Sequence, residues 1–357
     1  MEMTPPSDSV RHRQVCIPVA DSSRVGEARR AAVQAAEAAG LGEDDVGRVG
    51  VVVTEVASNL HRHAVGGEVL LRTLCDPPGL EILATDRGPG MADVGRCLAD
   101  GYSTGGTAGI GLGAVARMSS VFDIYSLTAA AAAKGTQGPA GAPGNAGPAV
   151  GTVLLARIRS GRTAGGPGDP GGPKAGADWQ VGVVCRPAPG EIECGDGWAA
   201  DSAADGRVRL AMADGLGHGL AAAEAARACL RSFRDLPGGP PLDVLRAAHA
   251  AARVTRGAAM AVAEIDPTAG MLRFAGIGNI AGSVSGGTGP GAAGRGLVSL
   301  PGILGQEARR FTDFTIPWGP GSLLVMHSDG LGSRWPDGPP SRADRGRPVP
   351  RLQPRPR

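Results

Sequence analysis

Aromatic side chains are nearly missing from this chain: Phe, Trp and Tyr make up 3% of its 357 residues. Its cores must therefore be built from Ala, Val, Leu and Ile, which offer less area per side chain. The same scarcity disfavours a nucleic-acid platform, which needs rings for bases to stack on. Cysteine motifs are absent as well. Cys16, Cys75, Cys97, Cys185, Cys194 and Cys229 are dispersed with no Cys-x-x-Cys spacing, so neither zinc binding nor thiol redox catalysis is signalled. No apolar run approaches the ~20 residues that span a bilayer, and the N-terminus lacks the apolar core of an export signal. These absences point to a reduced, cytoplasmic setting without a membrane partner.

What the chain has in excess is glycine, at 59 residues, and proline, at 29, concentrated at 135–149, 161–177 and 285–296. With 42% hydrophobic composition the length suffices for two or three domains of ~100–200 residues, and the second Gly/Pro stretch reads as the linker between two of them. Glycine recurs every third residue from Gly138, but four triplets cannot sustain a collagen helix, and a loop between two strands is expected there. The formal charge of +2 belongs to the C-terminal tail. Removing 334–357, with seven Arg and two Asp, leaves −3, so the Pro/Arg end reads as solvated disorder.

Three aspartates beside glycines stand out in the second half: Gly195-Asp196, Asp214-Gly-Leu-Gly-His-Gly219 and His327-Ser-Asp329-Gly-Leu331. Asp214 and Asp329 end aliphatic runs (208–213 and 323–326), which places them at strand ends where carboxylates converge on hard divalent cations. Such a layout suits metal-assisted hydrolysis, with two Mg²⁺ or Mn²⁺ ions roughly 3.5–4 Å apart activating a water and holding a phosphoryl group for in-line attack. A single Asp-Gly pair is only a turn former; three in order are a stronger sign. His218, beside the second aspartate, suits either a phosphate contact or the packing of its own loop.

The ordered set Ile192-Glu-Cys-Gly-Asp-Gly-Trp198, Asp214-Gly215, Gly276-Ile-Gly-Asn279 and Asp329-Gly330 resembles the SpoIIE-like branch of the PPM-type serine/threonine phosphatases, over about residues 178–335. By that resemblance Ile192 to Trp198 forms the first metal strand, Asp196 and Asp214 ligate the metals, Gly215 gives its carbonyl, and Asp329 joins the second ion. The family's last metal-binding Asp, on a further strand, has no counterpart after Trp335. The resemblance therefore leaves two readings open: a working phosphatase, or a switch kinase or nucleotide-gated binding protein whose phosphatase domain is inactive. Further strands are expected at 179–186, 207–213, 258–265, 271–275 and 322–327, with helices over 216–235 and 241–256.

An independent constellation lies upstream. Val46, Val49, Val53, Ala57 and Leu60 recur at spacings of three and four and predict a helix over 43–64. Glu55, Asn59 and His63 share one side of it, which suits either a Mg²⁺-nucleotide site or an ordinary solvated face. After a strand-like 80–85 come Asp86-Arg-Gly88-Pro-Gly90-Met91 and the glycine-rich 101–113, leading into a helix over 114–119 whose N-terminus favours phosphate. Strands over 121–128 and 150–159 follow. No acidic residue closes a βαβ unit as dinucleotide binding requires, so ATP is favoured over NAD.

The three upstream segments resemble, in order, the N-box, first glycine box and ATP lid of the GHKL ATPases in their anti-sigma-factor switch-kinase (RsbT/RsbW-like) form. That resemblance implies Glu55 as the base for phosphoryl transfer and Asn59 as the Mg²⁺ ligand. Asp86 would bind the adenine amino group beside Gly88 and Gly90, and Gly109, Gly111 and Gly113 would line the phosphates. The expected architecture is α+β: a GHKL ATP-binding sandwich at 10–160, a linker at 161–177, a PPM-type α/β/β/α sandwich at 178–335, incomplete at its C-terminus, and a disordered tail at 336–357. The cofactors implied are ATP with Mg²⁺ and a Mn²⁺ or Mg²⁺ pair. The implied partner is a phosphorylated STAS-type antagonist of an anti-sigma system, and relatives of the ATPase often dimerise.

Overall fold

The computed structural model describes residues 14–75, 77–98, 111–129, 150–161, 179, 181–191, 193–203, 205–286 and 295–331. The glycine-rich segment within 99–110, the glycine-triplet segment, most of the linker and the Pro/Arg tail lie outside the described residues. The chain divides into two compact units whose border falls between Val184 and Cys185. Both mix helix and sheet, so the fold is α+β.

In the first unit, β1 (Gln14–Pro18), β2 (Glu68–Cys75), β3 (Pro78–Thr85), β4 (Val121–Leu127) and β5 (Gly151–Arg159) form one antiparallel sheet in the order β1-β2-β3-β5-β4. Helices α1 (Ser22–Ala38) and α2 (Glu43–His63) pack together on one face. The α1 start is fixed by Asp21, whose carboxylate accepts from the Ser23 and Arg24 amides. Glu43, Asp44 and Asp45 open α2 and His61, Arg62 and His63 close it, each set complementing the helix dipole. The apolar stripe of α2 is the one its spacing predicts. Val49, Val53, Ala57 and Leu60 are buried, together with Val52 and Val56, against Val69, Leu71, Leu80, Ile82, Leu154, Ala156 and Ile158 of the sheet. Full burial of each Val or Leu contributes about 1.5–3 kcal/mol. Two short helices follow, α3 (Val94–Leu98) and α4 (Gly111–Met118); α4 begins three residues earlier than the sequence suggests.

On the opposite sheet face, Arg72, Glu81 and Arg157 stand side by side on β2, β3 and β5. Arg72 Nε donates to Glu81 Oε1 at 2.9 Å and Arg157 Nε to Oε2 at 2.8 Å, so a carboxylate only 3% exposed is held by two guanidinium groups.

The second unit contains an antiparallel sheet ordered β12-β9-β8-β7-β6, built from β6 (Asp196–Ser202), β7 (Val208–Gly215), β8 (Ala258–Asp266), β9 (Met271–Ile277) and β12 (Asp313–Pro317). A smaller sheet, β11-β10-β13, joins β10 (Ala281–Gly286), β11 (Arg295–Leu297) and β13 (Ser322–His327). Helices α5 (Gly219–Asp235) and α6 (Pro241–Ala251) cover one face of the larger sheet. Among the described residues these two helices form the one helical layer of the unit; a second outer layer is not among them. The scarcity of aromatics has a counterpart here, because α5 seats itself with small residues. A Cβ at Gly215 would stand 1.8 Å from the Ala222 carbonyl oxygen, and one at Gly197 would stand 2.7 Å from Leu230. Glycines on β6 and β7 thus bring helix backbone almost onto strand backbone, and the rest of the interface is largely alanine. Arg209, buried beneath Phe233, anchors the far end of α5 by donating to the Leu236 and Gly239 carbonyls at 2.8 and 2.9 Å and to Asp201.

Two expected strands are corrected. Residues 181–190 form no strand, because the valines at 181, 183 and 184 find no ladder partner among the described residues, and Pro187, Pro189 and the left-handed Gly190 turn the chain instead. The first aspartate strand starts at Asp196, not at Ile192.

Candidate functional site

Strand pairing brings two of the three aspartates face to face: Asp196 on β6 lies directly opposite Asp214 on β7. Both point away from the α5 side, since their neighbours Ala199, Ala211 and Ala213 supply the core beneath that helix. The third, Asp329, follows β13, and its charge acts on both. Burial, then the negative charge of Asp214, pushes the Asp196 carboxyl up to about 7, with a smaller contribution from Asp329. Asp214 is raised as well, chiefly by burial, while the amide of Asn279 opposes the rise.

Two polar side chains orient these carboxylates. Asn279 Nδ2 donates to Asp214 Oδ2 at 2.9 Å, and Ser328 Oγ donates to Asp196 Oδ2 at 2.8 Å across 132 residues of sequence. Neither role was read from the sequence. The available signals were the Asn that closes the Gly276 to Asn279 turn and the Ser directly before Asp329. Glu191, also missed, binds His218 Nδ1 at 2.6 Å and lies against Gly219, so His218 ties the 188–191 turn to the start of α5.

The donors here are hard oxygens held in register under partial burial, a set that suits Mg²⁺ or Mn²⁺ better than a thiophilic ion. Among the described residues, however, no three His, Cys, Asp or Glu side chains already stand as a metal cage. Asp196 and Asp214 are the paired element, and Asp329, exposed at a strand end, is not drawn into a three-carboxylate cluster with them.

In the first unit, Glu55 and Asn59 are half-buried on α2, one turn apart, whereas His63 is exposed. The start of α4 lies over this pair: a Cβ at Gly111 would stand 3.5 Å from Glu55 Oε2 and 3.8 Å from Asn59 Nδ2. The start of a helix, a carboxylate and an amide therefore meet at one place, and Gly113 is buried in the same helix. Asp86 sits after β3, its carboxylate accepting from the Gly88 amide at 2.6 Å, and burial raises its pKa. Gly90 adopts φ +72°, where a Cβ would meet the Leu127 carbonyl oxygen at 2.4 Å, and the Met91 amide donates to Ser126 Oγ at 2.7 Å. These contacts pin the Asp86 loop to the end of β4. Gly109 lies outside the described residues.

Two α+β units are therefore joined in one chain, and each matches a known domain family. Residues 19–133 match the histidine kinase-like ATPase domain, and residues 204–340 match the stage II sporulation protein E (SpoIIE) family. The serine/threonine-protein kinase RsbT of Bacillus subtilis (strain 168) is 31% identical over 116 residues, which span 32% of this chain and 87% of that protein. The chain belongs to the RsbT-like GHKL ATPase family through its first half, fused to a SpoIIE-type PPM phosphatase domain. Among solved structures, RsbX in complex with magnesium is 21% identical, with 43% of this chain and 74% of that one covered at a TM-score of 0.39. The PP2C phosphatase domain of SpoIIE from Bacillus subtilis, with a fragment of its regulatory domain, is 13% identical, with 87% and 79% covered at a TM-score of 0.36. No helix among the described residues is long and apolar enough to cross a membrane.

Proposed function

We propose that the second unit is a metal-dependent protein phosphatase that removes phosphate from serine or threonine of a small STAS-type antagonist protein in a partner-switching system, and that the first unit binds Mg-ATP. The observation that carries the phosphatase reading is the in-register opposition of Asp196 and Asp214, two partly buried carboxylates whose charges raise the energy of the site until a cation neutralises them. In this reading Asp196, Asp214, the Gly215 carbonyl and Asp329 hold Mn²⁺ or Mg²⁺. Bound ions would supply Lewis-acid stabilisation of phosphoryl oxygens and lower the pKa of water. Ser328 and Asn279 keep one oxygen of each carboxylate engaged, so the other is presented in a set direction. The close seating of α5 on Gly215 makes the turn rigid, which limits reorganisation when a cation enters.

The domain limits of 10–160, 161–177, 178–335 and 336–357, the cytoplasmic setting and dimer formation belong to the same reading. The test is Mn²⁺-dependent release of phosphate from a phosphoserine peptide by the full chain beside Asp214→Asn. Turnover that is lost in the variant supports the reading, and a folded, ATP-binding protein without turnover refutes it.

A second reading, a switch kinase or nucleotide-gated binding protein, is favoured by the meeting of Glu55, Asn59 and the α4 start and by the kinase relative. There Asn59 would hold Mg²⁺, Asp86 the adenine, and Gly88, Gly90, Gly109, Gly111 and Gly113 would shape the nucleotide cradle, with Glu55 as base. Transfer of the γ-phosphate to a STAS-domain protein, abolished in Glu55→Ala while ATP binding persists, separates the kinase from a nucleotide-gated binder.

A further inference from the structure

The segment leading into the first aspartate strand closes on itself. From Cys185 the chain passes Pro187 and Pro189, whose rings restrict φ, turns through left-handed Gly190, and is locked by the Glu191 amide donating to the Ala188 carbonyl at 2.9 Å. The turn returns Cys194 to its own beginning, where its thiol donates to the Arg186 carbonyl at 3.3 Å, one residue from Cys185, and stands within interaction range of the Cys185 side chain. Cys185 is buried at 7% exposure and Cys194 is more open. Elsewhere the loop is tied by Glu193 to Arg227 and by Glu191 to His218, so the turn that carries Cys185 and Cys194 is a supported one.

We infer that Cys185 and Cys194 form a reversible disulfide when the protein meets a hydroperoxide, making the turn before Asp196 an oxidative modification site. In the first step one thiol, the more open Cys194, transfers two electrons to the peroxide; its S–H becomes S–OH, the O–O bond breaks, and one water leaves. The Cys185 sulfur then attacks the sulfenic sulfur, the S–S bond forms, the S–O bond breaks, and a second water carries off the hydroxyl and the Cys185 proton. Overall two thiols and one hydrogen peroxide give one disulfide and two waters. A dithiol reverses the bond by exchange.

The sequence makes the test direct. Trypsin does not cut Arg186-Pro187, so residues 175–207 are released as one peptide in which Cys185 and Cys194 are the only cysteines. The purified full chain is treated with hydrogen peroxide, alkylated with N-ethylmaleimide and digested without reductant. The expected result is a 175–207 peptide lighter by two hydrogens and carrying no alkyl group, which regains two alkylation sites after dithiothreitol. Cys185→Ser and Cys194→Ser should each leave the remaining sulfur of that peptide alkylated or singly oxidised, with no bridge to Cys16, Cys75, Cys97 or Cys229. A wild-type peptide that stays doubly alkylated under peroxide that oxidises free cysteine in the same tube overturns the inference. So does a peptide bridged to another cysteine.

Discussion

Replacing Asp214 with Asn tests the electrostatics of the aspartate pair in both directions. Asp196 has an ordinary pKa of 3.8 and is pushed up to about 7, so ionising it in the fold costs about 4 kcal/mol more than in the unfolded chain. Its folded pKa is raised, so the stability it contributes is complete below about 4 and is lost as pH rises through about 7. Part of that cost comes from burial and remains in the variant; the part from the Asp214 charge goes. Asn keeps the shape, its carbonyl oxygen still accepts from Asn279, and its amide faces Asp196 as a donor. At pH 8 the variant without added metal should be more stable than wild type by about 1–2 kcal/mol, or several degrees in Tm, and the difference should vanish by about pH 4.

Manganese reverses the ranking. At a hundred times its Kd a cation that binds only the folded state adds about 2.7 kcal/mol to wild type, and the variant should show little of this. Tryptophan fluorescence is the assay, because three of the four tryptophans, at 198, 318 and 335, follow the border at Val184. A variant less stable than wild type at pH 8, a stability difference that does not change with pH, or an intact Mn²⁺ shift would refute the reasoning.

Three further outcomes follow from the same geometry. Ser328→Ala removes the donor on Asp196, so the carboxyl rises further and the pH at which Mn²⁺ stabilises the protein moves upward; a charge-assisted bond of about 1.5–3 kcal/mol sets the scale, and an unchanged Mn²⁺ profile would contradict the role. Gly215→Ala forces a methyl into the Ala222 carbonyl and should cost at least about 3 kcal/mol, read as a lower tryptophan-detected Tm. Glu81→Gln leaves Arg72 and Arg157 without their shared carboxylate and should cost the ATPase unit about 3–5 kcal/mol by circular dichroism, whereas replacing all three by apolar residues of similar volume should recover most of it.

Local pattern and chemistry were legible where one segment carries its own signal. The 3.6-residue stripe of α2 announced its buried side, because a helix must hide its apolar face whatever it packs against. The short apolar runs in 80–85 and 322–327 marked strands that exist. The valines at 181, 183 and 184 carried the same local signal and failed, since a strand needs a ladder partner that its own residues do not specify. Helix α1, with weak amphipathicity and only alanines buried, was not foreseen; its place depends on fitting closely against α2.

The sequence by itself determined the two kinds of domain and the acidic and glycine positions of both candidate sites, because these motifs are short and each residue type carries its chemistry alone. Only the tertiary structure decided that Asp196 faces Asp214, that Ser328 and Asn279 hold them, and that Cys194 returns to Cys185. Register and long-range contact arise when separate strands choose partners, and that choice depends on how the whole sheet packs on α5 and α6.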